Sequence, residues 1–382
     1  MNEQQHPVDP RPETQQAAPA EWGWVKPPQP LVTVETEPLA YHRLLRGIAK
    51  PSWWKPLVLL LLATAYFFTL SFAIGLIMSP IMLAFDPQFA TELLAGETEI
   101  LDTQRPISIV FAMLSIIMML PAVLLAMLTL GMRPVGRIWS VAGRIRWGIL
   151  WRTLAAAVLS VIVMNAVGIG FEMLLNPAGA GGTAANETAD FDVNAALISG
   201  LFILILVPIQ ATAEEVVFRG LFMQVLGSWL RSPWFAILIP SVAFAFGHIY
   251  DVWGLLAVGL MGLVAAWLTW RTGGLEAAIA IHVINNLFAF GVMASGVSGE
   301  TAQTESAGGA GTLVGEIAGL ALFAWLSLKI WRRGGHGRER IDLLVVPADS
   351  KLARGRTVVS VQEPQLAPAV QVAQETEGDQ RG

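Results

Sequence analysis

Seven stretches of this chain, each about as long as a membrane crossing requires, contain no Asp, Glu, Lys or Arg: 56–85, 106–132, 153–171, 193–213, 232–250, 252–270 and 277–299. An eighth, from about 312 to 330, is interrupted by Glu316. Runs of this length exceed what a soluble core helix needs. In lipid, each backbone must satisfy its own N–H and C=O groups, and a helix does so within one segment. The expectation is therefore an all-α, polytopic membrane bundle of about eight transmembrane helices. Composition agrees, since 54% of the 382 residues are hydrophobic and only 14% charged, against about 25% charged in soluble domains. The absence of Cys excludes disulfides, thiolate zinc sites and a cysteine nucleophile. The net charge of -5 comes with no dense basic run, so the expected partner is the lipid bilayer and not nucleic acid.

The ends read differently. Residues 1–40 hold eight prolines with scattered Gln and Glu, and are expected to be a disordered Pro-rich extension. No short apolar stretch directly follows a basic N-terminus, so the first apolar segment is expected to be an anchor and not a cleaved signal. Residues 336–382 are expected to be a mostly disordered tail, with Ile341–Val346 as one brief strand. The membrane domain is then 41–335, with its polar core in 195–300.

Loop charge orients the bundle, because Lys and Arg collect on the cytoplasmic side. Arg43, Arg46, Lys50 and Lys55 precede the first span, and Arg133, Arg137, Arg144 and Arg146 separate the second from the third. Arg219 and Arg231 follow the fourth, Arg271 the sixth, and Lys329, Arg332 and Arg333 close the eighth. The alternate loops are acidic. This alternation places both termini in the cytoplasm of a cell in whose plasma membrane the protein sits. Trp53, Trp54, Trp139, Trp147, Trp151, Trp229, Trp234, Trp270 and Trp331 fall near the Arg-rich boundaries, where amphipathic rings favour headgroup depth.

Strongly polar groups inside the spans are few, and a charge at the bilayer centre costs about 2.5–3.5 kcal/mol on insertion scales. Glu214 and Glu215 sit side by side, followed by Arg219; His248 and His282 are the two His within apolar sequence; Asn286 follows His282 by four. Glu215 and Arg219, also four apart, share a helix face and can pair. Glu214, rotated by about 100°, needs a partner from another helix. His282 and Asn286 present two donors on one face. Phe244, four before His248, sets an aromatic ring beside that imidazole. Taken singly, each has a packing explanation: an ion pair between helices, an interhelical hydrogen bond, or polar glue. Two carboxylates, two imidazoles and an amide on three helices are more than packing asks for. Two other function classes fit part of the pattern: a proton-coupled secondary transporter using Glu214 and His248, and a catalytically silent scaffold.

The three segments together resemble the CPBP family of intramembrane proteases, which includes CAAX prenyl endopeptidases and bacteriocin-processing relatives. Glu214, Glu215 and Arg219 match its Glu-Glu-x-x-x-Arg motif, Phe244 and His248 its Phe-x-x-x-His, and His282 and Asn286 its His-x-x-x-Asn. The resemblance covers about 195–300. It implies hydrolysis of a peptide bond in a peptide or protein substrate at the membrane, lipidated or not. Glu214 would activate water with the aid of His248, and His282 and Asn286 would stabilise the oxyanion. Glu215, Arg219 and Phe244 would support them. The family is described both as metalloproteases and as metal-independent glutamate proteases. A divalent metal such as zinc would draw on Glu214, His248 and His282. No His-Glu-x-x-His helix is present, and the reading without an obligatory metal is preferred.

One depth count conflicts. From the boundaries near Arg231 and Arg271, Glu214 and His248 lie about 20 Å deep and His282 about 10 Å. Some helix must be broken, tilted or start deeper, with Pro208, Gly220, Pro240 and Gly273-Gly274 as candidate positions. The cavity is expected to open toward the Arg-rich end.

Overall fold

The computed structural model describes residues 29–48, 52–175, 177, 191–297, 299–305 and 309–362. They fall into two compact units, Met1–Glu35 with Val345–Gly382 and Thr36–Leu344. The larger unit is an all-α bundle. Its helices are α1 (Lys55–Phe85), α2 (Pro87–Ala95), α3 (Pro106–Ile117), α4 (Met119–Thr129), α5 (Trp147–Leu175), α6 (Val193–Glu215), α7 (Met223–Trp229), α8 (Pro233–Phe246), α9 (Val252–Thr272), α10 (Glu276–Ser295) and α11 (Ala310–Arg333). Seven helical segments among the described residues are long and apolar enough to cross a membrane, with α3–α4 and α6–α7 each forming one. This is an integral membrane protein.

Side-chain exposure follows from that medium. Phe68 and Phe72 on α1 and Leu204 on α6 are about two-thirds exposed, an arrangement that suits acyl chains and not water. The centre is lined instead with small residues. On α11, Gly311, Gly315 and Gly319 lie against α5, and a Cβ on Gly315 would meet the Met164 carbonyl oxygen at 2.2 Å. Glycine at that spacing lets two helix backbones touch.

Of the eight crossings expected, the fifth, 232–250, takes another form. Proline at the first helical position starts α8, which stops at Phe246 after 14 residues, short of the ~20 a crossing needs. The chain turns through Gly247–Asp251, and the Asp251 side chain accepts from the Gly254 amide at 2.9 Å to cap α9.

The tails also differ from expectation where they are described. Leu31–Glu35 (β1) and Leu39–Ala40 (β2) are strands, as are Glu339–Arg340 (β3), Leu343–Pro347 (β4) and Val358–Gln362 (β5). In the smaller unit β1 pairs antiparallel with β5. Period-two alternation explains β1 and β4: Val32, Val34, Leu344 and Val346 are buried while their neighbours are not. Pro-rich flanks masked that alternation in the sequence, although the strand expected at Ile341–Val346 is close to β4. Within the larger unit β2 pairs with β3, and buried Asp342 forms ion pairs with Arg137 and Arg340. Residues 336–344 thus belong to the membrane unit. Residues 1–28 and 363–382 lie outside the described residues.

Candidate active site

The depth conflict resolves at two of the four positions. At Gly220 the helix that carries Glu214 runs on beyond α6 through a π-helical turn, Val216–Phe222, into α7. Such turns redirect side chains and concentrate at functional sites. Glycine is required there because a Cβ on Gly220 would lie 2.9 Å from Ile138 Cγ1. At Gly273, a left-handed φ of 75° ends α9. Every residue from Thr272 to Val283 is buried, so α10 starts inside protein, and His282 lies deeper than a count from the membrane surface suggests. Arg146 fixes that start. It donates to Glu276 through Nε at 2.9 Å and Nη2 at 2.7 Å, and to the Thr272 carbonyl through Nη1 at 2.9 Å.

Around this frame the predicted residues gather. His282 stands between the two glutamates, with Nδ1 2.7 Å from Glu215 Oε1 and Nε2 3.2 Å from Glu214 Oε2. Both neighbours are carboxylate oxygens, which only accept when ionised. The pair of contacts therefore holds either an imidazolium or a proton shared with one carboxyl group. Glu215 Oε1 also accepts from Arg219 Nη1 at 2.7 Å. The Arg219 guanidinium lies over Phe244 at 4.2 Å, a cation–π contact strengthened by desolvation. Phe244 in turn meets His248 edge to face at 4.8 Å and His282 at 5.5 Å. The phenyl ring is the hub that joins the three motifs.

His248 follows α8, and its Nδ1–H donates to the Phe244 carbonyl at 2.8 Å. A carbonyl cannot donate, so in the neutral ring Nε2 keeps a lone pair. His248 is close enough to Glu214 for their charges to interact. Asn286 is the least integrated of the predicted set: its amide donates to Gln210 Oε1 at 3.4 Å. Glu215, Arg219 and His282 are at most 1% exposed, whereas the Glu214 side chain keeps 11%. Inside the cluster Glu215 Oε2 and Arg219 Nε and Nη2 have no hydrogen-bond partner, and Glu214 Oε2 has only its ion pair with His282, an uncommon density of under-satisfied buried groups.

Three contributors were not anticipated. Gln210 precedes Glu214 by one helical turn, a spacing visible in the sequence. Tyr250 stacks on His248 at 5.6 Å. Gly262 on α9 clears space for the arginine, since a Cβ there would lie 2.8 Å from Arg219 Nη2 and 3.2 Å from Phe244 Cδ1.

A metal is a different matter. Both nitrogens of His282 face carboxylates and Nδ1 of His248 faces a carbonyl. Among the described residues no three His, Asp or Glu are grouped to hold a metal ion. Nδ1 of each histidine is held by a carbonyl or a carboxylate, as the second nitrogen of a ligating histidine is, so Nε2 of each and Glu214 are the atoms that would hold a divalent metal.

A cavity of about 660 Å³ adjoins the site at Tyr250 and reaches Glu172, Glu300 and Gln303. It lies toward the acidic-loop end and is lined by none of Glu214, His248, His282 and Asn286, so it is not the site cavity expected to open at the Arg-rich end. The α8–α9 turn at Gly247–Asp251 and the α10–α11 connection bring Tyr250 and Gln303 together there, with a 2.9 Å hydrogen bond between them.

A buried carboxylate–imidazole–guanidinium cluster within apolar helices is the combination found here, and the comparisons agree with it. Residues 195–288 match the family described as type II CAAX prenyl endopeptidase, Rce1-like. That match is consistent with the CPBP family and spans the segment that holds every residue of the cluster. The chain is 36% identical over 92 residues to the uncharacterized protein YyaK of Bacillus subtilis, an alignment covering 22% of this chain and 31% of that protein. The chain thus spans about a third of the length of that curated relative. No solved structure matches it.

Proposed function

We propose that the protein is an intramembrane endopeptidase that hydrolyses a peptide bond by water activated at Glu214. The observation that carries this reading is the chain Glu214–His282–Glu215–Arg219: one partly exposed carboxylate beside an imidazole whose far nitrogen is fixed by a second carboxylate, itself fixed by arginine. That is how a proton-transfer group is oriented. Glu214 takes a proton from water while His248 Nε2 accepts its second hydrogen bond. The resulting hydroxide attacks the scissile carbonyl. His282 N–H and the Asn286 amide donate to the developing oxyanion, the latter released from its long bond to Gln210. Glu214 then returns the proton to the leaving amine as the C–N bond breaks. The Rce1-like match supports hydrolase chemistry, and a prenylated CAAX peptide is the first substrate class to try. The positive-inside pattern supports cytoplasmic termini.

The test uses membranes containing the full chain, a farnesylated CAAX peptide and an unlipidated leader-type peptide, with product detected by mass spectrometry. Cleavage by the wild type that falls about 10³-fold or more in Glu214→Gln, at equal protein level, is expected. Uptake without cleavage would favour a transporter. No wild-type effect on either peptide, together with an unchanged cellular phenotype for Glu214→Gln, would favour a scaffold.

A further inference from the structure

At the opposite, Arg-rich end of the bundle a second pocket, of about 290 Å³, lies between the start of α8, the end of α9, the 38–43 segment and residues 338–339. Arg43, Arg231, Arg271 and Arg338 line it together with His42 and Trp270, against a single acidic residue, Glu339. Only two of these four cations are paired with a protein anion among the described residues. Arg43 pairs with Glu37 at 3.2 Å and Arg338 weakly with Glu339 at 3.7 Å. Arg231 and Arg271 form no ion pair among the described residues. Burial lowers the pKa of Arg43, Glu37 opposes this, and the like charges of Arg46 and Arg231 add to it.

Several guanidiniums held together in a partly desolvated pocket repel one another unless an anion joins them. His42 shows how far the pocket is built into the fold. It is 3% exposed, its Nε2–H donates to the Arg231 carbonyl at 3.3 Å, and its Nδ1 has no hydrogen-bond partner. The floor of the pocket is therefore fixed, unlike a patch of free surface arginines. Its depth is also defined. Trp270 lines it, and Trp53, Trp229 and Trp234, all near this end of the bundle, are 42% or more exposed, as expected of rings at headgroup level.

We propose that this pocket binds a phosphate group, gripped by Arg43, Arg231 and Arg271. Guanidinium forks match phosphate oxygens two by two. Basic pockets between transmembrane helices at this level receive anionic headgroups. The occupant would join the α7–α8 corner to the end of α9, the two ends of the hairpin that supplies Phe244, His248 and Gly262. The proposal is independent of the hydrolase reading, since binding requires no turnover.

The test places the full chain in nanodiscs of equal phosphatidylglycerol and phosphatidylcholine and counts retained lipids by native mass spectrometry. The wild type should retain the anionic lipid at least about fivefold over phosphatidylcholine, the factor that one arginine at about 1 kcal/mol supplies. Arg43→Gln/Arg231→Gln/Arg271→Gln should abolish the preference, and Arg271→Gln alone should weaken it if the triple variant does not fold. Arg332→Gln/Arg333→Gln, outside the pocket, should keep it. Displacement by millimolar inorganic phosphate or pyrophosphate would identify a soluble phosphate compound as the occupant; persistence would identify the lipid. The proposal is overturned by equal retention of both lipids with no thermal stabilisation by phosphate. It is also overturned if the Arg332/Arg333 variant loses the preference as completely as the pocket variants, or if only an acidic peptide stabilises the protein.

Discussion

Among the buried carboxylate–guanidinium groups of the membrane unit, two at the long helices differ in their local circumstances. Arg146 and Glu276 meet through two side-chain hydrogen bonds, and the backbone amide of Arg146 and the carbonyl of Thr272 complete the set. Neither residue leaves a buried polar atom unpartnered. Glu214, Glu215, Arg219 and His282 are also buried, yet three of their polar atoms have no hydrogen-bond partner and Glu214 Oε2 has only its ion pair with His282. The first group is closed and serves the fold, fixing where α10 begins. The second is open at Glu214, whose side chain keeps 11% exposure, which is how a site prepared for a reacting water differs from a structural pair.

The comparison is sharpened first at the structural pair. Glu276→Ala leaves Arg146 as an uncompensated buried charge and should cost about 3–5 kcal/mol of stability. Thermal unfolding in detergent would read this as a large fall in Tm, and an unchanged Tm would remove the distinction. Glu215→Gln tests the member of the open cluster that joins the imidazole to the guanidinium. It releases His282 Nδ1 from a charged acceptor and deprives Arg219 of its only ion-pair partner among the described residues. Cleavage should drop about 100-fold through kcat, with a measurable loss of stability as well. Gly262→Ala pushes Phe244 and Arg219 without touching substrate, and about tenfold slower cleavage is expected from misplacement alone. The smallest effect is at Gln210→Ala: a loss within about threefold, since the bond to Asn286 is 3.4 Å long. A large effect there would move Gln210 from a partner of Asn286 into the chemistry.

How much of this was legible in the sequence depended on range. Glu214, Glu215, Arg219, Phe244, His248, His282 and Asn286 stood out because polar groups are costly in apolar runs, and helical spacing correctly paired Glu215 with Arg219. Gln210 was equally visible at one turn from Glu214. The hub role of Phe244 was not, because aromatic rings are unremarkable in a membrane helix and only the fold brings α6, α8 and α10 around it. Arg146 was read as one more loop cation; its pairing with Glu276 spans 130 residues and leaves no local trace. Gly220 and Gly273 were among the positions proposed for a break, but the π-helical form of the turn at Gly220, where a Cβ would press on Ile138 from a distant segment, has no signature in residue spacing. The shortness of α8 escaped notice because 232–250 is apolar throughout. A strand near β4 was expected, but β1 and β5 escaped because pairing partners such as Val32 and Val361 lie at opposite ends of the chain.

The central claim is that the open cluster is kept for chemistry and not for stability. The most direct measurement is the Tm of Glu214→Gln beside its cleavage rate, on one preparation in the same membrane mimetic. Loss of cleavage by about 10³-fold or more with a Tm equal to or above the wild type is predicted, because neutralising a partly unsatisfied carboxylate relieves its burial. Retained cleavage, or unfolding as severe as that of Glu276→Ala, would contradict the account.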